Sequence, residues 1–129
     1  MKKKCIMAPR GPAAAGPYSH AVAAGNLLFV SGQGPMAPDG SGLKTKTFEE
    51  EVRQTFENLK AILEDAGSGL QHVVKTNVYL DNMDNFGEMN AIYKEYFPSD
   101  YPARTTIQAA RLPLNIRIEV EAVAILPDA

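Results

Sequence analysis

From Ile116 to Ile125 the chain reads IRIEVEAVAI, and this alternation constrains the fold more than any other stretch. Strand side chains alternate with period two, so Ile116, Ile118, Val120, Ala122 and Ala124 share one face. Arg117, Glu119, Glu121, Val123 and Ile125 share the other, which places two carboxylates among apolar neighbours. Upstream, PARTTIQAA forms a second strand that groups Arg104, Thr106 and Gln108 against Thr105, Ile107 and Ala109. Residues Leu112 to Asn115 are expected to turn the chain between these two strands, and the chemistry is expected here.

The rest of the chain bounds the answer. A length of 129 residues predicts one domain over residues 1–129 that buries roughly two thirds of its unfolded surface. Thirteen Lys plus Arg against fifteen Asp plus Glu leave a formal charge of −2. That offers no general attraction to nucleic acid or anionic membranes, so any anion must be bound locally. A single cysteine, Cys5, excludes an internal disulfide framework and a cysteine-based zinc site, and fits a reducing cytosol. The opening MKKK has the charge of a signal peptide's start, but Arg10 and two prolines follow where an apolar run is required. No stretch reaches the length of a membrane span. The expectation is a soluble cytoplasmic protein.

Three prolines and two glycines make residues 1–17 an extended, irregular segment until the fold captures the chain near Tyr18. HAVAAGNLLFVSG then reads as a hairpin turning at Gly25-Asn26, and LLFV is apolar on both faces. Ser31 to Gly42 reads as loop; Pro35 and further turn residues stand where a phosphate-cradling helix would have to start. Thr47 to Glu50 is a capping-box pattern opening a helix to about Ala66, with Phe48, Val52, Phe56, Leu59 and Leu63 on its apolar stripe and Gly67 ending it. HVVKTNVYL is a strand with Val74, Thr76, Val78 and Leu80 on one face. Asp84 is placed to cap a second helix through about Phe97, and Pro98 stops it. Two helices cover one face of such a sheet. The strands that are apolar on both faces then need a second cover, which a homo-oligomer supplies, and a site built from two chains follows.

Arg104 presents a planar fork matched to a carboxylate; it either anchors such a ligand or pairs with a strand glutamate. In a plain hairpin Gln108 faces Glu119, and Arg104 lies roughly 13 Å further along. Glu119 then reaches a substrate, a water or a neighbouring chain, while Glu121 is solvated or pairs with Arg117 or Arg111. Tyr18 offers a hydroxyl to an anion or packs at the mouth of the fold, and Asn90 is a ligand-facing or a surface amide. His20 and His72 are too isolated for a metal site, and neither Ser31 nor the threonines have a His and Asp placed for a nucleophile relay.

GPYSHAV, VSGQGP, NLKAILEDAG, VVKTNVYL, MDNFGEMNAIYKEYF, PARTTIQAARLP and IEVEAVA together resemble, in order and spacing, the RidA/YjgF family of reactive-intermediate deaminases. The resemblance runs from Tyr18 to Ile125. It implies an α+β, chorismate-mutase-like fold: a single mixed sheet with two helices on one face, in a barrel-like homotrimer with clefts between subunits. It implies hydrolysis of short 2-imino acids, tautomers of 2-aminoacrylate and 2-aminocrotonate, to 2-oxo acids and ammonia, with no cofactor and no metal. By position, Arg104 matches the arginine that binds the substrate carboxylate and Glu119 the acid that holds or activates water. Tyr18, Gly32, Phe86 and Asn90 match cleft-lining residues, and Thr106 stands where many members have cysteine, leaving its backbone amide to face the ligand. The competing readings are a non-catalytic trimer that senses a 2-oxo acid and, behind it, an endoribonuclease or translation inhibitor.

Overall fold

The computed structural model describes residues 1–128. Strands β1 (Lys3–Ile6), β2 (Ala21–Ala24), β3 (Leu27–Gln33), β4 (Val73–Leu80), β5 (Ala103–Gln108) and β6 (Ile118–Ile125) form a six-stranded sheet in the order β1-β2-β3-β6-β4-β5. Only β4 and β5 are parallel; the other pairs are antiparallel. Helices α1 (Phe48–Asp65) and α2 (Phe86–Tyr96) complete a mixed α+β fold of the expected class.

Local chemistry sets α1. The Thr47 hydroxyl accepts from the Glu50 amide at 3.1 Å, and Glu50 Oε1 accepts from the Thr47 amide at 3.1 Å. Two free amides of the first turn are thereby satisfied. Its stripe of Val52, Phe56, Leu59, Ile62 and Leu63 is fully buried, and Gly67 leaves the helix at φ +89°. These side chains, with Met89, Ile92 and Tyr93 of α2, cover Leu28, Val30, Val78, Leu80, Ile118, Val120, Ala122 and Ala124 of the sheet. Each large side chain so buried contributes about 1.5–3 kcal/mol. Among the described residues nothing covers the opposite face in this way, and Leu27, Phe29 and Ile125 stay 37%, 46% and 39% exposed there.

Several expectations are corrected. β5 and β6 do not form a hairpin: β4 lies between them, parallel to β5, so Tyr79 rather than Gln108 stands beside Glu119. Leu112 to Ile116 is thus a crossover that jumps a strand, with Leu114 and Asn115 in the left-handed region at φ 58° and 55°. Residues 1–17 are not irregular throughout, because Lys3–Ile6 adds an edge strand. Ser31 to Gln33 belong to β3 rather than to a loop, with a register shift between Val30 and Gln33. A second shift between Val73 and Lys75 buries Val73 and leaves Val74 41% exposed, off the face assigned to it. Asp84 is not a cap; Asn82 caps a short 3-10 turn there, and α2 starts at Phe86 without a side-chain cap. The hairpin at Gly25 stands, but only Gly25 takes a positive φ, +61°.

Candidate functional site

The shift in β3 sets one half of the candidate site. Three steps of β3, from Val30 to Gln33, oppose two of β6, from Ala122 to Val120. A bulge of this kind bends a strand and re-aims its residues. It brings Gly32 against Glu119, so that a Cβ on Gly32 would stand 2.6 Å from Glu119 Oε2. The cavity here, about 440 Å³, is lined by Tyr18, Gly32 and Glu119 with Ser31, Leu114 and Glu121. Tyr18 is fixed at its rim by the Ala15 amide, which donates to its hydroxyl at 3.1 Å. Below it His20 is buried: the Ala8 amide donates to Nδ1 at 2.8 Å, leaving Nε2 to donate to Pro12 O at 2.6 Å. Both ring nitrogens hold the N-terminal segment in place.

Two carboxylates share this cavity but differ in environment. Glu121 accepts from the Tyr79 hydroxyl at 2.5 Å and from Asn77 Nδ2 at 3.1 Å, not from Arg117 or Arg111 as the sequence suggested. Arg117 turns to the buried Glu51, which takes its amide at 3.0 Å and its Nε at 2.9 Å. Glu119 has no hydrogen-bond donor among the described residues. Burial pushes its carboxyl above the ordinary glutamate value, and the Glu121 charge pushes it the same way. A carboxyl group tuned upward is suited to taking a proton and returning it.

The other half gathers around Arg104. Its guanidinium lies 4.8 Å from the Tyr93 ring centre and 5.5 Å from that of Phe86, both on α2. No carboxylate lies within 4.0 Å of it among the described residues, so the expected alternative of a pair with a strand glutamate does not hold. Two aromatic faces hold the planar fork and leave its donors free. A cavity of about 380 Å³ opens at Arg104, Asn90, Tyr93, Lys94, Tyr101 and Pro102. Among the described residues, Asn90 Oδ1 and Thr106 Oγ1 are buried without a hydrogen-bond partner. Such atoms cost about 1–3 kcal/mol each when left unpaired, and they mark places where a bound molecule gains a contact.

The two halves face apart. Arg104 is in register with Thr76, which is fully buried under the helices, so Arg104 projects to the helical face. Glu119 lies between the buried Ile118 and Val120 and projects to the open face. The structure therefore brings Tyr18, Gly32 and Glu119 together, and separately Phe86, Asn90, Arg104 and Thr106. It does not join the two sets within one chain. Tyr93, the platform under Arg104, is absent from the candidate site residues read from the sequence. Its signal was the spacing Phe86, Asn90, Tyr93, one helical face at i, i+4 and i+7.

A family model described as endoribonuclease L-PSP matches residues 8–126. The human protein named 2-iminobutanoate/2-iminopropanoate deaminase is 42% identical, over 95% of this chain and 90% of that one. A RutC family protein of Pyrococcus abyssi is 42% identical over 96% of this chain and 98% of its own length. The crystal structure of E. coli TdcF with bound serine superposes with a TM-score of 0.89 at 35% identity, covering 95% of this chain and 98% of that one.

Proposed function

This chain belongs to the RidA/YjgF family, described as endoribonuclease L-PSP, and from that premise we propose that it hydrolyses short 2-imino acids to 2-oxo acids and ammonia. The observation that carries the reading is Arg104: a half-buried guanidinium, seated on two rings, with no carboxylate partner among the described residues. Such a fork takes a substrate carboxylate through two parallel hydrogen bonds. The serine held by the TdcF relative carries the same α-carboxylate beside a C2 nitrogen that a three-carbon imino acid does.

The chemistry asks little more. Water attacks C2 of the protonated imine as the C=N π pair moves to nitrogen, and Glu119 accepts one water proton, which leaves a tetrahedral carbinolamine carrying OH and NH2. Glu119 returns that proton to the amine, the C–N pair leaves with ammonia as the O–H pair forms the C=O, and the hydroxyl proton passes to Glu119 and on to the ammonia, released as ammonium. One water is consumed and one ammonia leaves, with no change of oxidation state. Positioning and proton transfer account for the rate.

Because Arg104 and Glu119 project from opposite faces, the working site takes Arg104, Phe86, Asn90 and Thr106 from one subunit and Tyr18, Gly32 and Glu119 from a neighbour. A homotrimer closes such a heterologous arrangement, and the uncovered Leu27, Phe29 and Ile125 face would supply its contact. A coupled assay tests the reading: a pyridoxal-phosphate-dependent dehydratase makes 2-aminoacrylate from serine, and pyruvate formation is followed. Wild type is expected to exceed the spontaneous rate, with Arg104→Ala lower by at least about 100-fold. The serine-bound relative also supports a second reading, a small-carboxylate sensor; saturable 2-oxo acid binding with no rate above background would select it. A net charge of −2 argues against RNA as the main ligand.

A further inference from the structure

The Arg104 cavity holds more positive charge than a one-carboxylate substrate uses. Its lining includes two cations, Arg104 and Lys94, and no acidic residue. Lys94 is exposed in the last turn of α2, one turn beyond Asn90 and next to Tyr93 in sequence. It has no carboxylate within 4.0 Å among the described residues. Its own helix offers none: the positions three and four residues away are Asn90, Ala91, Phe97 and Pro98. The adjacent acid, Glu95, is taken by Arg53, whose Nη1 and Nη2 donate at 3.0 and 3.1 Å. Glu121, the second carboxylate of the opposite half-site, is engaged within its own chain by Tyr79 and Asn77.

We infer that Lys94 is a specificity-determining residue, and that the Arg104 cavity takes 2-imino acids or 2-oxo acids bearing a second carboxylate on the side chain. Arg104 holds the carboxylate at C1, as in the deaminase reading on which the catalytic part of this inference rests. The side chain then runs along α2 toward Lys94, past the Tyr93 ring, with the exposed Tyr101 and the half-buried Pro102 as the outer wall. A cavity of about 380 Å³ falls within the range of ordinary small-molecule sites and leaves room for a chain longer than methyl or ethyl. The flexible four-carbon stem of Lys94 lets the ammonium follow acids of different length, and a lysine suits a distal carboxylate that needs charge more than geometry. The alternative role for Lys94 is to complement the negative end of the α2 dipole, which acts on helix stability and not on ligand choice.

The test compares two stable probes, 2-oxoglutarate and 2-oxobutanoate, by titration calorimetry on the full-length oligomer, so it reads out whether or not the protein is catalytic. Wild type should favour the dicarboxylate. Lys94→Met should lower the ratio of the two affinities about tenfold, Lys94→Arg should keep it, and Lys94→Glu should lower it further. The dicarboxylate preference should also shrink with added salt. If the enzyme turns over imines made in situ by amino-acid oxidases from glutamate and from 2-aminobutyrate, the kcat/KM ratio should move in parallel. An affinity ratio that is the same in wild type and Lys94→Met overturns the inference, whatever happens to melting temperature. Absence of imine hydrolysis with the ratio still dependent on Lys94 overturns the deaminase reading and keeps the dicarboxylate site.

Discussion

Gly32 and Glu119 are in such close contact that a methyl group on Gly32 would meet the Glu119 carboxyl carbon at 2.9 Å and its Oε2 at 2.6 Å. The backbone does not require glycine there through a positive φ; the need is for space. Gly32→Ala is therefore expected to displace the far end of the Glu119 side chain and leave the strand pairing intact. A carboxylate moved by about 1 Å costs roughly 10- to 100-fold in rate, while the accompanying strain costs about 1 kcal/mol. Steady-state kinetics beside thermal melting separates the two, and wild-type kcat in a well-folded Gly32→Ala protein would remove Glu119 from the reaction.

The raised Glu119 value makes a paired prediction for stability and rate. A carboxyl group with a higher pKa in the folded than in the unfolded chain binds extra protons when folded, so the stability present below the ordinary glutamate value is lost as pH rises through the folded value. Glu119→Gln should thus unfold at higher urea than wild type at pH 8, and the gap should close by about pH 4. Imine hydrolysis needs the ionised form as base, so the wild-type rate should climb with pH through a midpoint above that of a free glutamate. Glu121→Gln removes the second cause of the shift, and the midpoint should move down without reaching the free value, because burial, the larger cause, remains. A midpoint unmoved by Glu121→Gln and a Glu119→Gln protein no more stable than wild type would contradict the assignment.

How much of this was legible in the chain depended on the range of each interaction. The faces of β6 followed from alternation, and α1 from its capping box and stripe, because both are written in neighbouring residues. What pairs with what is not local. β4 separates β5 from β6, and nothing between Gln108 and Ile118 announces that the chain passes over a strand; the turn residues Leu114 and Asn115 carry the unusual φ values without a glycine to signal them. The edge strand Lys3–Ile6 carries no local signal, because three lysines precede its Cys5 and Ile6 and no alternation marks it. The β3 bulge sits inside a Ser-Gly-Gln run that local composition reads as loop. Arg104 and Glu119 were both found by residue type. That they face apart follows from their neighbours on β4, Thr76 beside Arg104 and Tyr79 beside Glu119, a pairing that no local pattern carries.

Asn58 of α1 holds one wall of the Glu119 cavity. Its buried Nδ2 donates to Gly34 O at 2.9 Å and to Met36 O at 2.8 Å, and its Oδ1 accepts from Gln54 at 2.9 Å. The held segment packs on the other wall, where a Cβ on Gly34 would stand 2.7 Å from Ile116 Cδ1. Asn58→Asp would set a buried carboxylate against two carbonyl oxygens, at a cost of about 2–4 kcal/mol near neutral pH. The carboxyl introduced would have its pKa raised on folding, so the deficit should be largest at high pH and shrink on acidification, when the protonated acid can donate to one carbonyl. Urea unfolding at pH 5 and pH 8 checks this; an equal loss at both values would show that the two carbonyl bonds are not the source.

The division of the site between faces has a direct consequence for mixed oligomers. Arg104→Ala and Glu119→Ala should each abolish imine hydrolysis alone. When equal amounts are unfolded together and reassembled, a site is intact if its arginine comes from a Glu119→Ala chain and its glutamate from an Arg104→Ala neighbour. Random mixing makes about one site in four intact in a ring of heterologous contacts. Activity should therefore return to about a quarter of the wild-type value per site, while each variant reassembled by itself stays inactive. Phe29→Glu, placed on the uncovered face where Phe29 is 46% exposed, should give smaller particles by light scattering and remove that recovery. If the mixture stays as inactive as its parts although the two variants are shown to co-assemble, Arg104 and Glu119 do not meet across a subunit boundary.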